Sequence, residues 1–167
     1  MAMAAAAYKL SDFEEIATLG TGALATVKLV KHVADGREHY CALKIMEKKK
    51  ILKMKQLEHI HNEKALLGEV DHPFVIGLFG VFQDEANIYI LCEYCHGGDL
   101  FGLMGMYDDE ILPTADAQFY AACIVSVFDH LHRKSIIYRD LKTARSFPPP
   151  IYLVAAFYHR TPHTITP

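Results

Sequence analysis

The chain has 167 residues, of which 51% are apolar and 22% charged. That balance is ordinary for a globular domain and excludes wholesale disorder and collagen-like repeats. A formal net charge of −3 gives no basic footprint for nucleic acid, so nucleic acid is excluded as the expected partner.

Composition breaks near residue 142. All 20 acidic residues and 15 of the 17 basic ones lie in residues 1–142, which carry −5. Residues 143–167 contain no Asp, Glu, Asn, Gln, Gly or Lys and hold five of the seven prolines. Residues 1–7 are apolar but short and lack a basic region, so they do not read as a secretory signal. The apolar run at 151–158 stops at eight residues, far below the roughly 18 that a membrane span needs. Cys41, Cys92, Cys95 and Cys123 are too few and too scattered for a secreted disulfide scaffold. The expectation is a cytoplasmic chain with no membrane partner.

In chain order, residues 13–19, 25–33 and 38–46 read as three strands of an antiparallel meander, rich in β-branched residues and separated by glycine-bearing turns. A lysine-rich stretch from Lys48 opens a helix in which Leu57, Ile60, Lys64 and Leu67 recur at helical spacing; Gly68 and Asp71-His72-Pro73 end it. Strands at 78–82 and 88–93 flank a polar turn at 83–87. After the loop 96–99 the pattern becomes helical. Pro113-Thr114 starts a long helix with Tyr120, Ile124, Val127 and Leu131 along one face.

Cys92-Glu93-Tyr94-Cys95-His96 matches a haem-attachment spacing, but Cys92 ends an apolar strand-like run, and two packed thiols at a strand end are the better reading. His59, His61, His130 and His132 lack a second ligand cluster at metal spacing and read as helix-surface residues. The turn Gly20-Thr21-Gly22 sits between two strands, where missing Cβ atoms let backbone N–H groups approach phosphate oxygens; alone, it reads as a hairpin turn. Lys44 stands in an otherwise apolar strand and needs an anionic partner to offset desolvation. Glu63 on the following helix can supply it, either as a buried ion pair only or as a pair that orients the ammonium toward a phosphate.

Taken together these residues resemble the protein kinases, specifically the cyclic-nucleotide-dependent branch of the serine/threonine kinases, the group of the cAMP-dependent protein kinase catalytic subunit. The glycine-rich turn, Cys41-Ala42-Leu43-Lys44 and Glu63 occur in kinase order. Leu91-Cys92-Glu93-Tyr94, Gly97-Gly98-Asp99-Leu100-Phe101 and Tyr138-Arg139-Asp140-Leu141-Lys142 extend the likeness over residues 11–142.

The resemblance implies an α+β, protein-kinase-like fold, truncated: a five-stranded antiparallel small lobe with one main helix, plus a partial helical large lobe. The expected boundaries are an N-terminal tail at 1–10, small lobe and hinge at 11–95, partial large lobe at 96–142 and an unrelated tail at 143–167. It also implies ATP as cofactor, with adenine between Leu19, Val27 and Ala42. Gly20 and Gly22 would lie over the phosphates, Cys92 at the gatekeeper position, and Glu93 to Cys95 as the hinge. Lys44, paired with Glu63, would hold the α- and β-phosphates. Asp99 would stand near the ribose and a basic substrate side chain, Asp140 would be the catalytic base, and Lys142 would support the transferred phosphoryl group. The implied partners are a protein substrate with basic residues near Ser or Thr and a regulatory subunit.

The pattern also departs from the family. Ala25 replaces the third glycine of the loop, and Tyr138 opens the catalytic loop in place of His. Arg145 stands where the family has an Asn that ligates Mg²⁺, and no Asp-Phe-Gly follows. Residues 143–167 offer no carboxylate or carboxamide to replace these ligands. The long helix has an apolar face that the rest of a large lobe buries in the family, worth about 6–12 kcal/mol for four side chains. The sequence thus predicts a kinase-like chain with impaired catalysis; the alternative is a noncatalytic fragment that binds nucleotide or a regulatory partner.

Overall fold

A computed structural model describes residues 8–34, 36–54, 70–96, 98–137 and 141. A 3₁₀ turn, Leu10–Asp12, leads into strand β1 (Phe13–Thr21), followed by β2 (Ala25–Ala34), β3 (Arg37–Glu47), helix α1 (Lys48–Lys53), β4 (Leu78–Gln83), β5 (Asn87–Glu93), α2 (Leu100–Met104) and α3 (Thr114–Arg133). The strands form one antiparallel sheet in the order β1-β2-β3-β5-β4. The expected five-stranded antiparallel sheet is therefore present, each strand within two residues of its predicted bounds. The helical stretch through Leu57, Ile60, Lys64 and Leu67, with His59 and His61, lies outside the described residues.

The described residues divide into two units, one built from 8–54 and 77–94, the other from 70–76, 95–137 and 141. In the first, strand alternation sends successive side chains to opposite faces. Val30, Cys41, Leu43, Tyr89 and Leu91 form the core on one face, with Tyr8, Phe13, Ile45, Phe79 and Phe82 packed against it. Phe82 stacks on Tyr89 at 4.8 Å and on Phe13 at 5.9 Å between ring centroids. Tyr8 lies so close over Gly80 that a Cβ there would meet its ring carbons at 3.1 Å, so a side chain at this point of β4 would require the ring to shift. Gly36, in the β2–β3 turn, has φ +72°, a conformation glycine adopts without the Cβ penalty.

The second unit is organised by α3. Cys123, Val127 and Leu131 are buried along it, and Val127 and Leu131 pack with Val75, flanked by Val70, Phe74, Ile124, Phe128 and Ile136. Part of the apolar face of α3 thus finds a partner within its own unit. The chain's own Val70–Ile76 segment covers it, and the buried stripe runs through Cys123 while Tyr120 and Ile124 are half-buried. Among the described residues, no helix is long and apolar enough to cross a membrane.

Candidate functional site

The register assembles one face of the sheet from the residues singled out in the sequence. Lys44 on β3 stands between Val27 on β2 and Ile90 on β5. Two residues along, Ala42 stands between Leu29 and Cys92. Directly paired residues of antiparallel strands share a face, as do residues two apart on one strand. Val27, Ala42, Lys44, Ile90 and Cys92 therefore form one surface. Ala42 and Lys44 are each 7% exposed, and Val27, Ile90 and Cys92 are at or below 1%.

Among the described residues, Lys44 is the one charged side chain that is buried. It sits in a strand whose neighbours are apolar, so its ammonium is held away from bulk water, where an anionic oxygen gains most from meeting it. Gly20 pairs with Val27 at the end of β1, and the ladder skips one residue between Thr18 and Gly20. Leu19 is thus the extra residue of a β-bulge, which bends the strand just before the glycine turn. That turn closes through Gly22 N–H donating to the Ala25 carbonyl at 2.8 Å. The N–H of Gly22 is consumed within the hairpin in this conformation.

At the end of β5, the Glu93 N–H donates to the Gly77 carbonyl at 2.9 Å, while its carboxylate accepts from the Gly77 N–H at 3.3 Å. This double contact ties the strand end to the start of β4. Cys92 and Cys95 are buried thiols in no disulfide, in keeping with the packed-thiol reading. In the second unit, Asp99 is the N-cap of α2, its carboxylate accepting from the Gly102 N–H at 2.7 Å. One oxygen of the residue expected near a ribose is therefore engaged in ordering its own helix. Glu63, Asp140 and Lys142 lie outside the described residues.

Two features escaped the sequence reading. Ile90 belongs to the same surface as Cys92 and was detectable from strand period alone. The bulge at Leu19 had no signal, because register is a property of the strand pair. Among the described residues, no group of three or more His, Cys, Asp or Glu side chains is placed to hold a metal ion. At the family's Mg²⁺ position the donor chemistry does not fit, since the Arg145 guanidinium has no lone-pair oxygen to offer and repels a dication.

A sheet of this order carrying a buried strand lysine, with the glycine turn at one end of the same surface, defines a class. Residues 13–145 match the protein kinase domain, and the chain belongs to that family. It is 42% identical over 135 residues to cAMP-dependent protein kinase type 3 of Saccharomyces cerevisiae, covering 81% of this chain and 33% of that protein. It is likewise 42% identical over 138 residues to the human cAMP-dependent protein kinase catalytic subunit PRKX, covering 81% and 37%. With the Schizosaccharomyces pombe cAMP-dependent protein kinase catalytic subunit it shares 42% over 135 residues, 81% of this chain and 26% of that protein. The chain thus spans between 26% and 37% of the length of these three relatives.

Proposed function

We propose that this chain forms the nucleotide-binding part of a serine/threonine protein kinase and that phosphoryl transfer by it is impaired. The observation that carries the reading is Lys44, buried on the same sheet face as Val27, Ala42 and Cys92. Val27, Ala42 and Leu19 take the adenine, Cys92 sits at the gatekeeper position, Glu93 to Cys95 meet the ring edge, and Lys44 holds the α- and β-phosphates with Glu63 as its partner. When bound, ATP supplies the transferable phosphoryl group. Asp140 is the base that accepts the substrate hydroxyl proton, Lys142 steadies the phosphoryl oxygens, and Asp99 recognises a basic substrate side chain. Impairment follows from Arg145 at the Asn position together with a 143–167 stretch that has no carboxylate or carboxamide side chain. Small lobe and hinge run to residue 95, and a partial large lobe runs from 96 to 142.

The substrates of the active relatives, on this reading, carry Ser or Thr near basic residues, and a regulatory subunit is the natural protein partner. Four cysteines outside any disulfide suit a reducing cytoplasm.

Displacement of a fluorescent ATP analogue tests binding. Lys44→Ala removes charge-assisted contacts worth about 1.5–3 kcal/mol and should weaken binding on the order of 10–100-fold. Equal affinity in the variant would remove the basis of the proposal. Phosphate transfer to an Arg-containing Ser peptide should be negligible in the parent chain. Robust Mg²⁺-dependent transfer that Asp140→Ala abolishes would overturn the impaired reading. A second reading, a noncatalytic module, shares the same Lys44 observation and is supported by Lys44-dependent binding without turnover.

A further inference from the structure

In the second unit, the two ring nitrogens of His72 do different things: Nε2 reaches Ser126 on α3, and Nδ1 closes a turn within the Val70–Ile76 segment itself. The Phe74 N–H donates to Nδ1 at 3.2 Å, so Nδ1 is the unprotonated nitrogen of the ring. Nε2 lies 3.2 Å from Ser126 Oγ and therefore carries the proton and donates it. This assignment also excludes a histidine-activated serine, which needs the reverse polarity. The Val75 N–H donates to the His72 carbonyl at 3.0 Å, closing the turn that presents Val75 to Val127 and Leu131. A second imidazole, His130 on α3, lies 5.2 Å away between ring centroids, and its Nε2 is buried with no hydrogen-bond partner.

We propose that His72 is a proton-operated latch on its own turn: the neutral ring closes the His72–Phe74 turn that presents Val75 to α3, and protonation opens that turn while the Nε2 contact to Ser126 stays. A proton on Nδ1 turns the acceptor of the Phe74 N–H into a second donor facing it, so one hydrogen bond is lost and two donors oppose each other. The new charge also arises beside His130. The titratable groups around the ring are His130 on α3 and Asp71 on its own segment. Burial first, and then His130, hold His72 below the ordinary imidazole range, while Asp71 pulls the other way. The latched form thus binds protons less readily than the released form. Its stability is complete above the ordinary imidazole value of about 6.5, shrinks as pH falls below it, and levels off once the latched ring is itself protonated.

Amide hydrogen exchange on the whole chain, normalised to the unstructured-peptide rate at each pH, tests the latch. Protection at the Phe74 amide should fall between about pH 7.5 and about pH 5, with the loss setting in below the ordinary imidazole value. His72→Asn keeps an acceptor near the Nδ1 position but does not titrate, and its protection should not depend on pH. Constant protection in the parent chain, or the same acid-dependent loss in His72→Asn, overturns the proposal. Titration of the His72 ring by NMR in the parent chain decides independently of any variant: a midpoint below the ordinary imidazole value supports the latch, and one at or above it refutes it.

Discussion

At the residue scale, Asp84 shows how a single side chain fixes a turn. Its carboxylate accepts from the Tyr89 hydroxyl at 2.6 Å and from the Asn87 and Ala86 N–H groups at 2.7 and 2.8 Å, closing the β4–β5 connection. The Tyr89 hydrogen bond, then those of Asn87 and Ala86, hold the Asp84 carboxyl below the usual carboxylate range. A lowered folded value means that this contribution is present above the unfolded carboxyl's value of about 3.9 and is lost as pH falls through the folded value. Asp84→Ala should therefore unfold at lower temperature than the parent chain at neutral pH, with the gap closing progressively below about pH 4. Thermal unfolding followed by circular dichroism at both pH values measures this. A gap of equal size in acid would assign the loss to packing rather than to the charged carboxylate.

At the scale of elements, α3 ends in a way that its sequence does not advertise. Ser135 adopts φ +59°, its N–H donates to the His132 carbonyl, and the Ile136 N–H reaches back to the Leu131 carbonyl. This is the Schellman arrangement, with Ile136 packed in the same cluster as Leu131. A left-handed conformation costs a Cβ-bearing residue about 1–2 kcal/mol, so Ser135→Gly should raise stability by about 1 kcal/mol, read as an increased urea midpoint. Leu131 is 1% exposed at the centre of that cluster, and Leu131→Ala should cost about 2–5 kcal/mol by the same measurement. The stripe at 120, 124, 127 and 131 was legible from helical periodicity. That Cys123 joins it and that 70–76 covers part of it were not, because periodicity gives a face and never its partner.

At the scale of the whole chain, all four cysteines are buried and none is in a disulfide. Burial pushes the Cys41 thiol up to about 11 and raises that of Cys123. Since the thiolate is the nucleophile, the native chain should react slowly with a thiol reagent at about pH 8, with all four thiols reacting rapidly after unfolding in guanidinium. Absorbance with an aromatic disulfide reagent counts them. Rapid reaction of any one of them in the native chain would show that its site opens.

Strand alternation and turn glycines made the strands legible, and the motifs from the glycine turn through Lys44 to Tyr138-Arg139-Asp140-Leu141-Lys142 carried the resemblance to the protein kinases, because all of these signals are local. The sequence also exposed Arg145 and the ligand-poor stretch after it, since residue chemistry needs no coordinates. Only the tertiary structure decided that Val27, Lys44 and Ile90 stand in one row beside Ala42 and Cys92, and that Leu19 bulges. It alone decided that Asp99 caps its own helix and that His72 meets both Ser126, 54 positions further along the chain, and His130. Register and long-range pairing depend on how whole elements share a core, and no local pattern along the chain encodes which surfaces will meet.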